Sequence, residues 1–134
     1  MTMNTFTIWF LKIALSASFL SAVADRFGLW GPAGTAGVSW GNFESFTAYT
    51  AKVNPLVPQR FIPLLAWAAT VLETSLGVLL LTGIMSKEVA LAAAVLLAIF
   101  ALSMAFGLGI KSPLDYSVFS ACAAAVALYV LLAA

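Results

Sequence analysis

The sequence predicts an all-α membrane protein, in which four transmembrane helices form an antiparallel bundle and a short amphipathic helix lies at the interface in the first loop. Hydrophobic residues make up 63% of the 134 residues and charged residues only 8%, whereas about 25% of a typical soluble domain is charged. Four apolar stretches each approach the roughly 20 residues that cross a hydrocarbon core about 30 Å thick. Short polar turns join the last three, so consecutive helices there must run antiparallel.

One domain is predicted over residues 1–134, with spans at about 6–24, 61–85, 89–110 and 114–133. The first span has an alternative interpretation, because the run from Ala22 to Ala24 before Asp25 has the small-x-small form of a signal-peptidase site. A signal peptide opens with a polar, positive region, whereas this apolar run begins before Lys12 and reaches a spanning length. We therefore favour a transmembrane helix that ends at Asp25 and Arg26.

The loop after the first span contains a second, shorter helix. Glycines and a proline between residues 28 and 37 predict an irregular segment. Residues 42–53 regain helical spacing, with aromatic residues on one side of the wheel and Glu44 and Lys52 on the other. The segment is too short to span, so we expect it to lie at the membrane interface or, alternatively, on the bundle as a lid.

Glu73 is the most informative residue, because it lies about 12 residues, roughly 18 Å at 1.5 Å per residue, into the second span. An ionised carboxylate facing lipid there is strongly disfavoured, so Glu73 should face inward, be paired or be protonated. Lys12 lies at a similar depth in the first span, and a Lys12–Glu73 ion pair is one prediction. Alternatively, Lys12 extends to the surface and Glu73 hydrogen-bonds to a neighbouring helix, anchors a ligand or carries a proton.

A second group of polar and aromatic side chains gathers where the long loop meets the spans. Its members are Asp25, Arg26, Trp30, Lys111, Asp115 and Tyr116. Together with Glu73, this group could frame a pocket whose polar head opens into an apolar bundle, and we predict ligand binding there. The alternative is that these charges only end the spans, as charges at membrane boundaries commonly do.

Several kinds of chemistry are excluded by composition. The chain has no histidine and one cysteine, Cys122, so the usual zinc sites, histidine acid–base catalysis and an internal disulfide are not expected. The formal charge of +1 without a basic run gives no sign of a nucleic-acid partner. We assign no catalytic residue and no metal site, so the protein is at most a subunit of an oxidoreductase.

The sequence also resembles a known family. The segment ETSLGVLLLTG, from Glu73 to Gly83, is similar to the second-helix signature of the DoxX family of small four-helix membrane proteins. The stretches ADRFGLWGP, WGNFESFTAYT and GIKSPLDYSVF resemble DoxX-like members in the same order, so the resemblance covers nearly the whole chain. The family's name comes from subunits linked to quinone-reducing sulfur oxidation, which implies a quinone as cofactor. Members that work with thiols would offer more cysteines than this chain has.

Three functions remain open at this point. The first is a membrane accessory or binding protein that accepts a quinone-like or lipid-like molecule in a redox-linked complex. The second is a small proton-coupled transporter that uses Glu73, and the third is a structural subunit that packs against partner membrane helices. Each implies a multi-pass protein of the cell inner membrane, in contact with the lipid bilayer and with either further copies of itself or a membrane complex. Positive residues are more frequent on the long-loop side, which predicts that this loop lies in the cytoplasm.

Overall fold

The structure, a computed structural model, describes residues 2–134 and contains helices and loops without any strand in that range. Residue 1, with which the predicted domain begins, lies outside the described residues. Six α-helices follow one another: α1 Met3–Arg26, α2 Phe43–Val53, α3 Ile62–Thr82, α4 Ser86–Leu108, α5 Lys111–Asp115 and α6 Val118–Ala133. A 3-10 turn, Gln59–Phe61, leads into α3. The all-helical fold class is therefore confirmed.

Three helices are long and apolar enough to cross a membrane. They are α1, α3 with its preceding turn, and α4, with mean hydropathies of 1.7, 1.9 and 2.6. At 16 residues, α6 is about 24 Å long, less than the roughly 30 Å of a hydrocarbon core. The count of four spans thus stays a prediction.

The last helix begins later than the sequence indicates. The span predicted from residue 114 is divided in the structure, because α5 ends at Asp115 and α6 starts only at Val118. Between them Ser117 adopts a left-handed conformation with φ of 58°, which turns the chain. Aspartate and serine are weak helix formers, and apolar composition alone does not reveal their effect.

The helices α1, α3, α4 and α6 pack side by side, with α1 against α3 and α6 and with α4 against α3 and α6. Ser16 of α1 donates a hydrogen bond to the carbonyl of Gly77 in α3 at 2.6 Å. Further along α1, Arg26 contacts Thr70, which precedes Gly77, so the two helices run antiparallel. A Cβ on Gly77 would lie 2.9 Å from Leu20 Cγ, so the glycine allows this close approach.

The apolar core lies between these helices. Its buried members include Leu15, Phe19, Leu76, Leu80, Ala90, Ala93, Ala94, Ala125 and Leu128. Alanine is frequent where α4 meets α6, which lets the two backbones approach closely, as is common between membrane helices. We call the end of the bundle that holds Arg26, Ile62 and Leu108 the long-loop end, and the opposite end, with Thr82 and Ser86, the terminal end.

The short helix α2 packs on α3 and α4 at the long-loop end. The Cys122 thiol of α6 lies 3.3 Å from the carbonyl of Ala94 in α4, which aligns the two helices at these residues. Counted from this contact at 1.5 Å per residue, the C-terminal end of α4 extends roughly 15 Å beyond the first residue of α6. Gly107 lies in this extension, where its missing side chain gives room to the α2 backbone. A Cβ there would lie 2.6 Å from Val53 Cα. Helix α2 therefore packs against this extension of α4, and its position at the membrane interface stays a prediction.

Candidate functional site

An ion pair joins α1 to α3 inside the molecule. Arg26 Nη2 contacts Glu73 Oε2, and these side chains are only 3% and 5% exposed. Arg26 Nη1 also donates to Thr70 Oγ1 at 3.0 Å, and the Thr70 hydroxyl donates in turn to the carbonyl of Ala66 at 2.8 Å. Two charges thus lie buried between helices, each with a partner of opposite sign.

Helix geometry explains why this pair forms. Side chains on an α-helix lean toward the N-terminus of their own helix. Because α1 and α3 are antiparallel, Arg26 leans from the long-loop end into the bundle while Glu73 leans up toward that end. The two side chains converge, although their positions on the helices differ by roughly 9 Å when counted from the Ser16–Gly77 contact.

The predicted pair of Lys12 with Glu73 is wrong. Counted from Ser16 opposite Gly77, Lys12 lies four residues toward the terminal end and Glu73 four residues toward the long-loop end. The separation is roughly 12 Å at 1.5 Å per residue, and both side chains lean away from each other. Lys12 Nζ instead donates to Ser86 Oγ at 3.1 Å.

Aromatic rings cover the arginine on the side of α2. The ring centre of Phe46 lies 3.6 Å from Arg26 Cζ and that of Trp40 lies 5.2 Å away. Both distances permit attraction between the cation and the ring faces, which is stronger where water is excluded. Trp40 also packs against Tyr49 at 5.6 Å between ring centres. Burial, and then the neighbouring Tyr116, raise the pKa of the Tyr49 phenol above its usual value.

Asp25 holds the long loop. Its carboxylate accepts three backbone N–H groups, from Ser39 and Trp40 at 2.8 Å each and from Gly41 at 2.9 Å. Gly41 has a positive φ of 79° and lies so close to Ala33 that a Cβ would be 2.7 Å from that residue's Cα. By fixing this segment, Asp25 places Trp40 beside the arginine that follows Asp25 in sequence.

The other predicted site residues lie at the surface. Trp30 is 59% exposed, and its indole N–H donates to the Ser21 carbonyl and hydroxyl, at 3.1 Å each. Lys111 and Asp115 form an exposed pair at 2.5 Å within α5, and Tyr116 beside them is 73% exposed. The structure therefore brings Asp25, Arg26 and Glu73 together and leaves the remaining four outside this cluster.

The predicted ligand pocket at these residues stays a prediction. Two apolar grooves lie on the surface, one of about 270 Å³ between Leu56 and Phe106 and one of about 410 Å³ along α1 near Trp9. Neither is lined by any of the seven predicted ligand-binding residues. Within residues 2–134 no three acidic or cysteine side chains are placed to hold a metal ion. The polar centre is filled by the protein's own side chains.

Three long apolar helices, with a buried charge pair between two of them, define a helical membrane protein. Comparison with known families identifies it further. Residues 4–117 match the model of the methylamine utilisation protein MauE. Because that match spans most of the 134 residues, the chain belongs to the MauE family. No curated protein and no solved structure matches the chain.

The family match corrects the resemblance to DoxX. An acid followed by glycine and leucines describes the segment from Glu73 to Gly83, but each feature has a local structural reason. Glu73 pairs with Arg26 across a helix contact, Gly77 permits the approach of α1, and leucines fill the core and face the lipid. Such a pattern can arise in any packed membrane helix, so it does not identify a family.

Proposed function

We propose that this protein is an integral membrane accessory protein of a methylamine utilisation system, acting through assembly with partner proteins rather than through chemistry of its own. The observation that carries the proposal is the family match over residues 4–117. The geometry of the site supports it, because Arg26 and Glu73 form a buried ion pair inside the fold and Asp25 is engaged with the loop. These groups are used to hold the long-loop end in one shape.

That end offers a surface for a partner. The turn that directly follows α1 carries exposed apolar side chains, namely those of Phe27, Leu29 and Trp30. Phe27 stacks on Phe43 of α2 at 5.6 Å between ring centres, and Phe43 stacks on Trp67 of α3 at 4.3 Å. A rigid apolar edge of this kind suits contact with another membrane protein or with the bilayer interface.

The proposal does not include a bound quinone or proton transport through Glu73. A quinone headgroup would need donors and acceptors that it can reach, whereas Arg26 and Glu73 are buried as a pair and Phe46 covers the arginine. A proton carrier must exchange with water at some stage of its cycle, and the Glu73 side chain is buried. The first and third functions considered from sequence thus merge into an accessory role without a bound quinone.

Growth on methylamine tests this function. A strain from which this gene is deleted should fail to grow with methylamine as nitrogen source but grow normally on ammonium, and the wild-type gene should restore growth. Glu73→Gln should restore growth in proportion to the amount of variant found in the membrane fraction, because glutamine can accept a hydrogen bond from Arg26 but leaves its charge unpaired, whereas a proton carrier would be inactive at any amount. Immunoblotting of the membrane fraction controls for expression. Normal growth of the deletion strain on methylamine would contradict the proposal.

A further inference from the structure

Lys12 lies at the terminal end, away from the pair of Arg26 and Glu73, and its charge has no counter-ion among residues 2–134. The residue is only 5% exposed. Its ammonium makes a single hydrogen bond among residues 2–134, to the neutral hydroxyl of Ser86 at 3.1 Å. No carboxylate in that range lies within 4.0 Å of Nζ. Burying an ammonium is costly unless its charge is balanced and its N–H donors are hydrogen-bonded. Two of the three N–H groups of Lys12 have no hydrogen-bond acceptor among residues 2–134, and its positive charge has no nearby carboxylate.

The hydroxyl that Lys12 contacts belongs to the first residue of α4, and this helix N-terminus has no cap. Met85 precedes the helix and provides no side-chain acceptor. The first helical hydrogen bond runs from the Val89 N–H to the Met85 carbonyl at 2.9 Å. The N–H groups of Ser86 and of the two residues after it have no acceptor within the helix.

Two positive features therefore meet at one place. A helix N-terminus carries a partial positive charge and presents free N–H groups, which together bind anions. Lys12 brings a full positive charge to the same point, although repulsion between the two should disfavour this arrangement. Glu88 in the first turn of α4 is exposed and forms no ion pair with Lys12. An anion placed between the ammonium and the helix N-terminus would relieve the repulsion and use the free donors.

The position within the molecule indicates which anion fits. The Trp9 ring centre lies 4.8 Å from Lys12 Nζ, and exposed Lys87 and Glu88 mark the end of the apolar part of α4. Tryptophan and lysine gather where the hydrocarbon core meets the headgroups, which is the level of the lipid phosphates. We propose that Lys12 and the N-terminus of α4 form a binding site for a phosphate group, presented by a phospholipid headgroup or by free phosphate.

Native mass spectrometry of the full chain in detergent micelles tests the proposal with phosphatidylglycerol as probe. Lys12→Gln keeps a donor for Ser86 but removes the charge, and should raise the dissociation constant about fivefold, since one lysine at an anionic surface contributes about 1 kcal/mol. Lys12→Arg should bind nearly as tightly as the wild type. Lys52→Met, which removes a charge from the exposed face of α2 at the long-loop end, is the matched control and should change nothing.

Inorganic phosphate distinguishes the two sources. If it displaces phosphatidylglycerol from the wild type but leaves binding to Lys12→Gln unchanged, the site takes free phosphate as well as headgroups. If it does not compete while the lysine dependence persists, the site is specific for the lipid. Circular dichroism of each variant checks that the helices are intact. Equal affinity of wild type and Lys12→Gln for phosphatidylglycerol, with no effect of inorganic phosphate on either, would overturn the proposal.

Discussion

At the scale of single residues, the charges of this chain are placed by the direction in which helical side chains lean. Arg26 and Glu73 lean toward each other and pair, whereas Lys12 leans away from Glu73 and meets Ser86. Asp25 and Arg26 are adjacent in sequence but serve different partners, one the backbone of the loop and the other a carboxylate in α3. Two neighbouring residues at the end of α1 thus fix the long loop through Asp25 and the contact of α1 with α3 through Arg26.

Asp25→Asn should loosen the loop while the helices stay folded. Both carboxylate oxygens accept hydrogen bonds from backbone N–H groups. The asparagine side chain has an NH₂ group in place of one oxygen, so at least one backbone N–H would lose its acceptor. A hydrogen bond to a charged group contributes about 1.5–3 kcal/mol, so amide exchange at Ser39, Trp40 and Gly41 should accelerate about tenfold or more. Hydrogen–deuterium exchange mass spectrometry measures this.

The exposed residue Asp115 supplies the control for that experiment. Asp115→Asn removes the same charge from a pair at the surface and should leave exchange at residues 39–41 as in the wild type. Unchanged protection of these amides in Asp25→Asn would show that the loop is held by other contacts.

At the scale of elements, the arrangement depends on close approach of backbones at two glycines. Gly77 lets α1 reach α3, and Gly107 lets α2 reach α4. The neighbours differ, because a Cβ at Gly77 meets a leucine side chain that can shift, whereas at Gly107 it meets the backbone of Lys52 and Val53. Backbone cannot move aside without displacing the helix, so α2 should be the more sensitive of the two contacts.

Gly107→Ala should therefore push α2 off the bundle without unfolding α4, since alanine is the better helix former. Amides of residues 43–53 should exchange faster, and the fluorescence of Trp40, which packs on Phe46 of α2, should change. Val95→Ala, at an exposed position twelve residues earlier in α4, is the control and should leave α2 in place. Equal protection of α2 in wild type and Gly107→Ala would contradict this assignment of Gly107.

The sequence predicts these elements unevenly, for physical reasons. Long apolar runs and helical spacing indicate helices close to those observed, because both depend on local residue type. The depth of Glu73 predicts that it avoids lipid, and in the structure the residue is buried. Depth along each span does not predict its pairing with Arg26, because depth alone ignores the direction in which helical side chains lean. The late start of α6 depends on Ser117 in a left-handed turn, which hydropathy does not reveal.

At the scale of the whole molecule, the chain is a helical membrane protein of the MauE family. Its two ends differ in chemistry. At the long-loop end charges are paired inside the fold and covered by α2, while at the terminal end Lys12 remains without a counter-ion among the described residues. The cytoplasmic position of the long loop remains a prediction. Because Arg26 is buried, the prediction now depends on the three exposed positive residues of that side, Lys52, Arg60 and Lys111.

The central claim is that the buried pair of Arg26 and Glu73 joins α1 to α3. A double-mutant cycle of Arg26→Met and Glu73→Met, measured by reversible unfolding in mixed micelles, tests it most directly. Each single change should cost about 3–5 kcal/mol of unfolding free energy, because it leaves one buried charge unpaired, and the double variant should regain much of that loss. The exposed pair Lys111→Ala and Asp115→Ala should show a coupling below about 1 kcal/mol. Additive losses for Arg26 and Glu73, with no coupling between them, would contradict the account.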